Sequence, residues 1–224
     1  MASPRPHWPQ NLRVASFGAP QLGQFIREAL CGADLSGCVA YSMAQPWTRD
    51  RGVGDTDPMR VSEATTLVDY LYWMRDTVLT AAAELEDDAF TAPDTITNRD
   101  LRATLIHELD VQWSWRERLR GADWEEWGES AELRGEDYPT VAAVSEHWVR
   151  DEREMRAWLA GLTDHDLDAP PVRDEDQGQP LWVFVMHLVS HGIQQFSEAA
   201  VLLTRAGHSP GDIGFLEFVQ SQSR

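Results

Sequence analysis

Four stretches of this 224-residue chain repeat apolar side chains at the spacing of an α-helix, and no segment shows a convincing strand alternation. The first runs from about Ser62 to Leu85 and sets Leu67, Leu71, Met74, Val78, Ala82 and Leu85 on one stripe. The second begins at Asn98, a residue suited to an N-cap, reaches about Leu119 and is followed by Gly121. The third opens at Pro139 and carries Val141, Val144, Trp148, Met155, Trp158 and Leu159. The fourth spans about Pro180 to Ala206, with Gly207 as its stop, and a short helix over Asp212–Val219 is expected to cap the end. Striped helices bury their apolar faces against one another, so the expected fold is an all-α four-helix bundle. The connections Gly121–Tyr138 and Thr163–Gln179 are long, which predicts at least one crossover rather than a plain up-down-up-down path.

The bundle pattern occupies residues 59–224, and residues 1–58 read as an N-terminal extension. Within the extension, Leu22, Phe25, Ile26, Ala29 and Leu30 predict one short helix after Pro20, and PWTRDRGVGDTDP reads as a linker. The charge divides at the same place. Five arginines balance five acidic residues up to residue 58, whereas fourteen arginines face thirty-two acidic residues after it, so the whole net charge of −18 falls on the bundle. All nineteen basic residues are arginine, read here as the codon bias of a GC-rich bacterial genome. So acidic a surface lacks the basic footprint of a nucleic-acid binder. Cys31 and Cys38 show no metal or redox spacing and are expected to be plain thiols. The first residues lack the apolar core of a signal peptide, and the longest apolar run, Leu181–Ile193, is too short to span a bilayer. The expectation is a cytoplasmic protein without membrane contact.

Chemistry concentrates on histidine. His107 lies mid-way along the second helical pattern, with Trp113 and Trp115 beyond it. In the fourth pattern His187, His191, Gln195 and Glu198 recur at i, i+4, i+8 and i+11, which places them on one face. Imidazoles projecting inward from facing helices are how bundles build metal sites. Trp113, Trp115, Trp148, Trp158 and Trp182 are expected in the core, those near the histidines also walling a pocket. The acidic runs AELEDD and RDEREMR read as solvated helix faces, His147 and His165 as unpartnered, and Asp110 as facing water.

A His in the second helix before a Trp-rich turn, then H-x3-H-G in the last helix and the closing words SEAAVLLTRAGHSPGDIGFLEF, resembles the DinB-like superfamily over residues 62–219. The resemblance implies a crossed four-helix bundle, commonly a homodimer, holding a divalent metal such as zinc or nickel. It further implies a small-molecule substrate and, in some members, transfer or isomerisation with low-molecular-weight thiols such as mycothiol or bacillithiol. Carried onto this chain, the metal ligands are His107, His191 and the position of Gln195, where the resemblance expects His followed by Arg and finds Gln followed by Phe196.

An amide oxygen is a weaker donor to zinc than imidazole. Three arrangements follow: metal on His107, His191 and Gln195 with water; metal moved one turn onto His187, His191 and His107; or no metal, with these side chains forming a hydrogen-bond network. The functional expectation is a metal-dependent thiol S-transferase-type transferase or isomerase with a degenerate third ligand. The alternatives are a non-catalytic, small-molecule-binding bundle and an enzyme working by acid–base chemistry through His107 and His191 without metal.

Overall fold

A computed structural model describes residues 59–86, 88–93, 96–97, 99–122, 133–172 and 178–223. The short helix expected over Leu22–Leu30, the linker, both cysteines and Asn98 lie outside these residues. Residues Asp57–Arg224 cluster as one compact unit. Its described helices are α1 (Val61–Ala82), α2 (Leu101–Leu119), α3 (Val141–Ala160), the short α4 (Asp164–Asp168), α5 (Leu181–Arg205) and α6 (Phe215–Ser221), and among the described residues there is no strand.

The helix ends follow local chemistry. α2 starts at Asp100, whose carboxylate accepts the Ala103 N–H at 2.7 Å, so Asp100 rather than Asn98 is the N-cap. At α3 the Thr140 hydroxyl accepts from Ala143, which moves Pro139 outside the helix. Both α2 and α5 end in a glycine at positive φ, Gly121 at 92° and Gly207 at 88°. Behind each, the next N–H reaches back to close the final turn, Ala122 to the Glu117 carbonyl and His208 to the Leu203 carbonyl. The capping helix begins three residues later than the sequence pattern places it, at Phe215.

Helix α1 packs on α5 and α3, and α2 packs on the same two. Consecutive helices α1 and α2 therefore face each other across the bundle's diagonal, as do α3 and α5. The path is crossed, as expected, and not that of an up-down-up-down bundle. Of the two long connections, however, only the one after α3 crosses; the other joins the neighbours α2 and α3, and the second crossing is the α1–α2 connection. The core follows the predicted stripes closely: Leu71, Met74, Val78 and Ala82 are buried on α1, and Val144, Trp148, Met155 and Leu159 on α3.

Two expectations need correction. Of the five tryptophans assigned to the core, Trp148 alone is fully buried; Trp113, Trp115, Trp158 and Trp182 are half-buried at the margin. The run RDEREMR is not a wholly solvated face either. Asp151 is 3% exposed and is hydrogen-bonded through Oδ1 to the buried Arg116 guanidinium. Next to it, Glu152 accepts from Arg75 at 2.6 Å and from Arg156 at 2.7 Å. Three buried polar atoms in this region, Tyr72 Oη, Arg75 Nη1 and Asp151 Oδ2, have no hydrogen-bond partner among the described residues.

Candidate functional site

Helices α2 and α5 meet along a seam that carries nearly all the chemistry. Near its middle, the His107 and His191 rings lie 5.2 Å apart, edge to face. Toward one end, Arg99 Nη1 approaches Gln195 Oε1 at 3.5 Å, the outer limit of a hydrogen bond. Toward the other, Trp115 stands edge-on to His187 at 5.2 Å and leans on Phe184 at 5.7 Å. The pairs 99 with 195, 107 with 191 and 115 with 187 run in opposite directions along the chain, so the two helices are antiparallel. The structure thus joins His107 to His191, leaves His187 exposed beside Trp115, 6.1 Å from His191, and buries Gln195.

His191 is held from inside the bundle by a residue that the sequence pattern does not single out. Its Nδ1 lies 2.6 Å from Oε2 of Glu108, a carboxylate with no solvent exposure. Gln112 Nε2 donates to the other carboxylate oxygen at 2.6 Å, and Trp148 Nε1 donates to Gln112 Oε1 at 3.1 Å. An indole N–H can only donate, so it fixes which way the Gln112 amide points, and the amide N–H must then face Glu108. When Glu108 is ionised both of its oxygens accept, so the His191 Nδ1 donates to it and Nε2 is the nitrogen left to face the seam. Asp110, expected to face water, accepts the Leu133 N–H at 3.2 Å. His147 does have a partner, the Tyr138 hydroxyl at 2.6 Å from Nδ1, while His165 is exposed on α4.

Burial pushes the His107 pKa down to about 3, helped by the positive charge of Arg99 and then by His191. His107 is therefore neutral across the physiological range. Burial raises the Glu108 pKa, and the His191 hydrogen bond opposes that rise.

Gly192 makes the Glu108 contact possible. A Cβ built there would lie 2.4 Å from Leu71 Cδ1 and 2.6 Å from Glu108 Oε1, and both neighbours are packed in the core. The glycine of the H-G pair is a space requirement. Gly192→Ala should cost roughly 1–3 kcal/mol by overpacking, against up to about 1 kcal/mol gained in helix propensity. Urea unfolding of the variant measures the balance, and a neutral result would mean Leu71 and Glu108 can move aside freely.

The metal implied by the resemblance needs three ligands. Among the described residues, no group of three or more His, Cys, Asp or Glu side chains is placed to hold a metal ion. Two donors, His107 and His191, face each other, but the third position offers the amide of Gln195, whose oxygen already faces the Arg99 guanidinium. A dication there would meet a neutral ligand and a neighbouring cation. The residues present fall short of a three-ligand centre. Replacing the amide by a third imidazole should restore one: Gln195→His is expected to tighten zinc by at least tenfold, about 1.4 kcal/mol. Calorimetric titration of both proteins in one buffer checks this, and equal affinities would show that Gln195 is not the missing ligand.

These features define an all-α bundle with a histidine–carboxylate cluster set between two of its helices. A family model described as the DinB family matches residues 59–224, and the chain belongs to that family. No curated protein matches the sequence. No described helix is long and apolar enough to cross a membrane.

Proposed function

We propose that this chain is a cytoplasmic, small-molecule transferase or isomerase of the low-molecular-weight-thiol type, with His191 as the proton acceptor. The observation that supports it is the 2.6 Å contact between His191 and the fully buried Glu108. Burying a carboxylate is costly, and apolar packing commonly serves stability as well or better. Here the carboxylate fixes the His191 tautomer and stabilises the imidazolium that forms when Nε2 takes a proton. A thiol S–H would lose its proton to Nε2 and leave a thiolate as nucleophile. The chain has no cysteine after residue 38, so the thiol is a cosubstrate. In this reading His107, held neutral, serves as a hydrogen-bond partner beside His191.

The same contact favours a second reading. With Nδ1 committed to Glu108, Nε2 is also oriented as a ligand for zinc or nickel, as second-shell carboxylates orient metal-bound histidines. In that reading His107, His191 and Gln195, or His187, would hold the ion, and the ion would lower the pKa of the bound thiol. The homodimer implied by the resemblance belongs to this proposal too, and the mass in solution decides it.

Thiol consumption over a panel of electrophiles, with mycothiol and bacillithiol as donors, separates the readings. Turnover that survives chelation supports proton transfer by His191. Turnover that needs added zinc or nickel supports the metal reading. No turnover under either condition would leave a non-catalytic binding bundle.

A further inference from the structure

Arg99 is an arginine without a carboxylate. Among the described residues its one side-chain partner is the neutral amide of Gln195 at 3.5 Å, and it forms no ion pair with any of them. That is unexpected in a segment carrying more than twice as many acids as arginines. Arg75, Arg116 and Arg156, by contrast, each reach one or more carboxylates. Arg99 is also half-buried, so its charge is only partly relieved by water. It lies beside Gln195, the position the third ligand of a metal centre would take, and brings a fixed positive charge there.

We propose that Arg99 supplies the positive charge that a metal ion would bring to this place, and that the seam binds a small organic carboxylate end-on. The carboxylate pairs with the guanidinium near Gln195, and an apolar tail passes the His107–His191 pair toward Trp115 and Phe184. Guanidinium forks match carboxylates in geometry as well as charge. The length follows from α5: eight residues separate Gln195 from His187, about 12 Å at 1.5 Å rise per residue. A molecule with a charged head and an aromatic tail fits that span. This rests on the reading of the seam as a small-molecule site and names its substrate class.

The probe pair is 4-phenylbutyrate and its neutral amide, 4-phenylbutyramide. Binding to the full chain is followed by calorimetry and by the proton NMR signals of the His107 and His191 rings. The acid should bind and shift both rings, the amide should bind at least tenfold more weakly, and R99Q should lose at least tenfold for the acid alone. R99K should recover part of that loss, and unchanged melting of both variants shows that folding is not the cause. Equal binding of acid and amide, equal affinity in R99Q, or no binding of the acid at all overturns the proposal. Its failure is distinct from failure of the proton-transfer reading. An inert Arg99 with an activity-dead H191A removes this inference alone, whereas Arg99-dependent binding with an active H191A removes the other alone.

Discussion

Arg116→Ala should lower the folding stability of the bundle by about 3–5 kcal/mol, the cost of leaving a buried charge without its partner. Arg116 and Asp151 are 3% and 1% exposed at their side chains, and the guanidinium also donates to the Asp151 backbone carbonyl at 3.1 Å. Removing it strands a carboxylate whose pKa burial already raises and Arg116 is the leading influence holding down. For a domain of this size the melting temperature should fall by roughly 10 °C. The exposed pair Arg60–Glu63 sets the contrast: its loss should cost less than about 1 kcal/mol, because solvent screens it. A double replacement, Arg116→Met with Asp151→Leu, should recover most of the loss, since well-packed apolar residues replace a buried pair at little cost. Urea unfolding of the three variants makes the cycle. A small effect of Arg116→Ala alone would show that water reaches Asp151.

His191→Ala should reduce the thiol-dependent turnover by roughly 10²–10⁴-fold, the usual contribution of a positioned proton acceptor. Its partner should matter through orientation. Glu108→Gln puts a second amide against Gln112, and the Trp148 indole prevents Gln112 from turning to meet it. One N–H must then face another, or the Nδ1–H of His191 must lose its acceptor. The variant should therefore lose activity with its KM little changed, and lose about 1–3 kcal/mol of stability from the unmet buried group. His165→Ala, far along the chain on the exposed α4, should leave turnover unaltered. Equal loss from all three variants would point to general unfolding instead of proton transfer.

Much of this architecture is legible in the sequence because apolar periodicity is a property of single helices. The stripes through Leu71–Ala82 and Val144–Leu159 needed no partner to be seen, and the glycines at 121 and 207 mark their own stops. The facing of His107 and His191 was readable once the two helices were known to meet. Glu108 was not, because an acid beside a histidine on a largely polar helix looks solvated, and its burial depends on Gly192 arriving from α5. Asp151 was missed for the same reason. Its neighbours in RDEREMR are charged, and only the placement of Arg116, thirty-five residues earlier, turns one of those charges inward. Arg99 carried no signal at all, since its position relative to Gln195 is set by how α2 begins.

At the height of Gly192 three helices are gauged against one another by an absent methyl group. Leu71 from α1 and Glu108 from α2 both occupy the space a side chain would fill. That waist leaves no slack, so the imidazole of His191 is aimed by the scaffold and not by whatever the seam binds. At one mouth of the seam, Arg99 and the buried Gln195 meet only at 3.5 Å, a looser contact than those around Gly192. With Arg99 in its proposed role, such a chain can change its ligand chemistry at the mouth while its waist stays fixed. Divergence within this lineage should then appear as drift at 99 and 195 beside near-invariance at 71, 108 and 192.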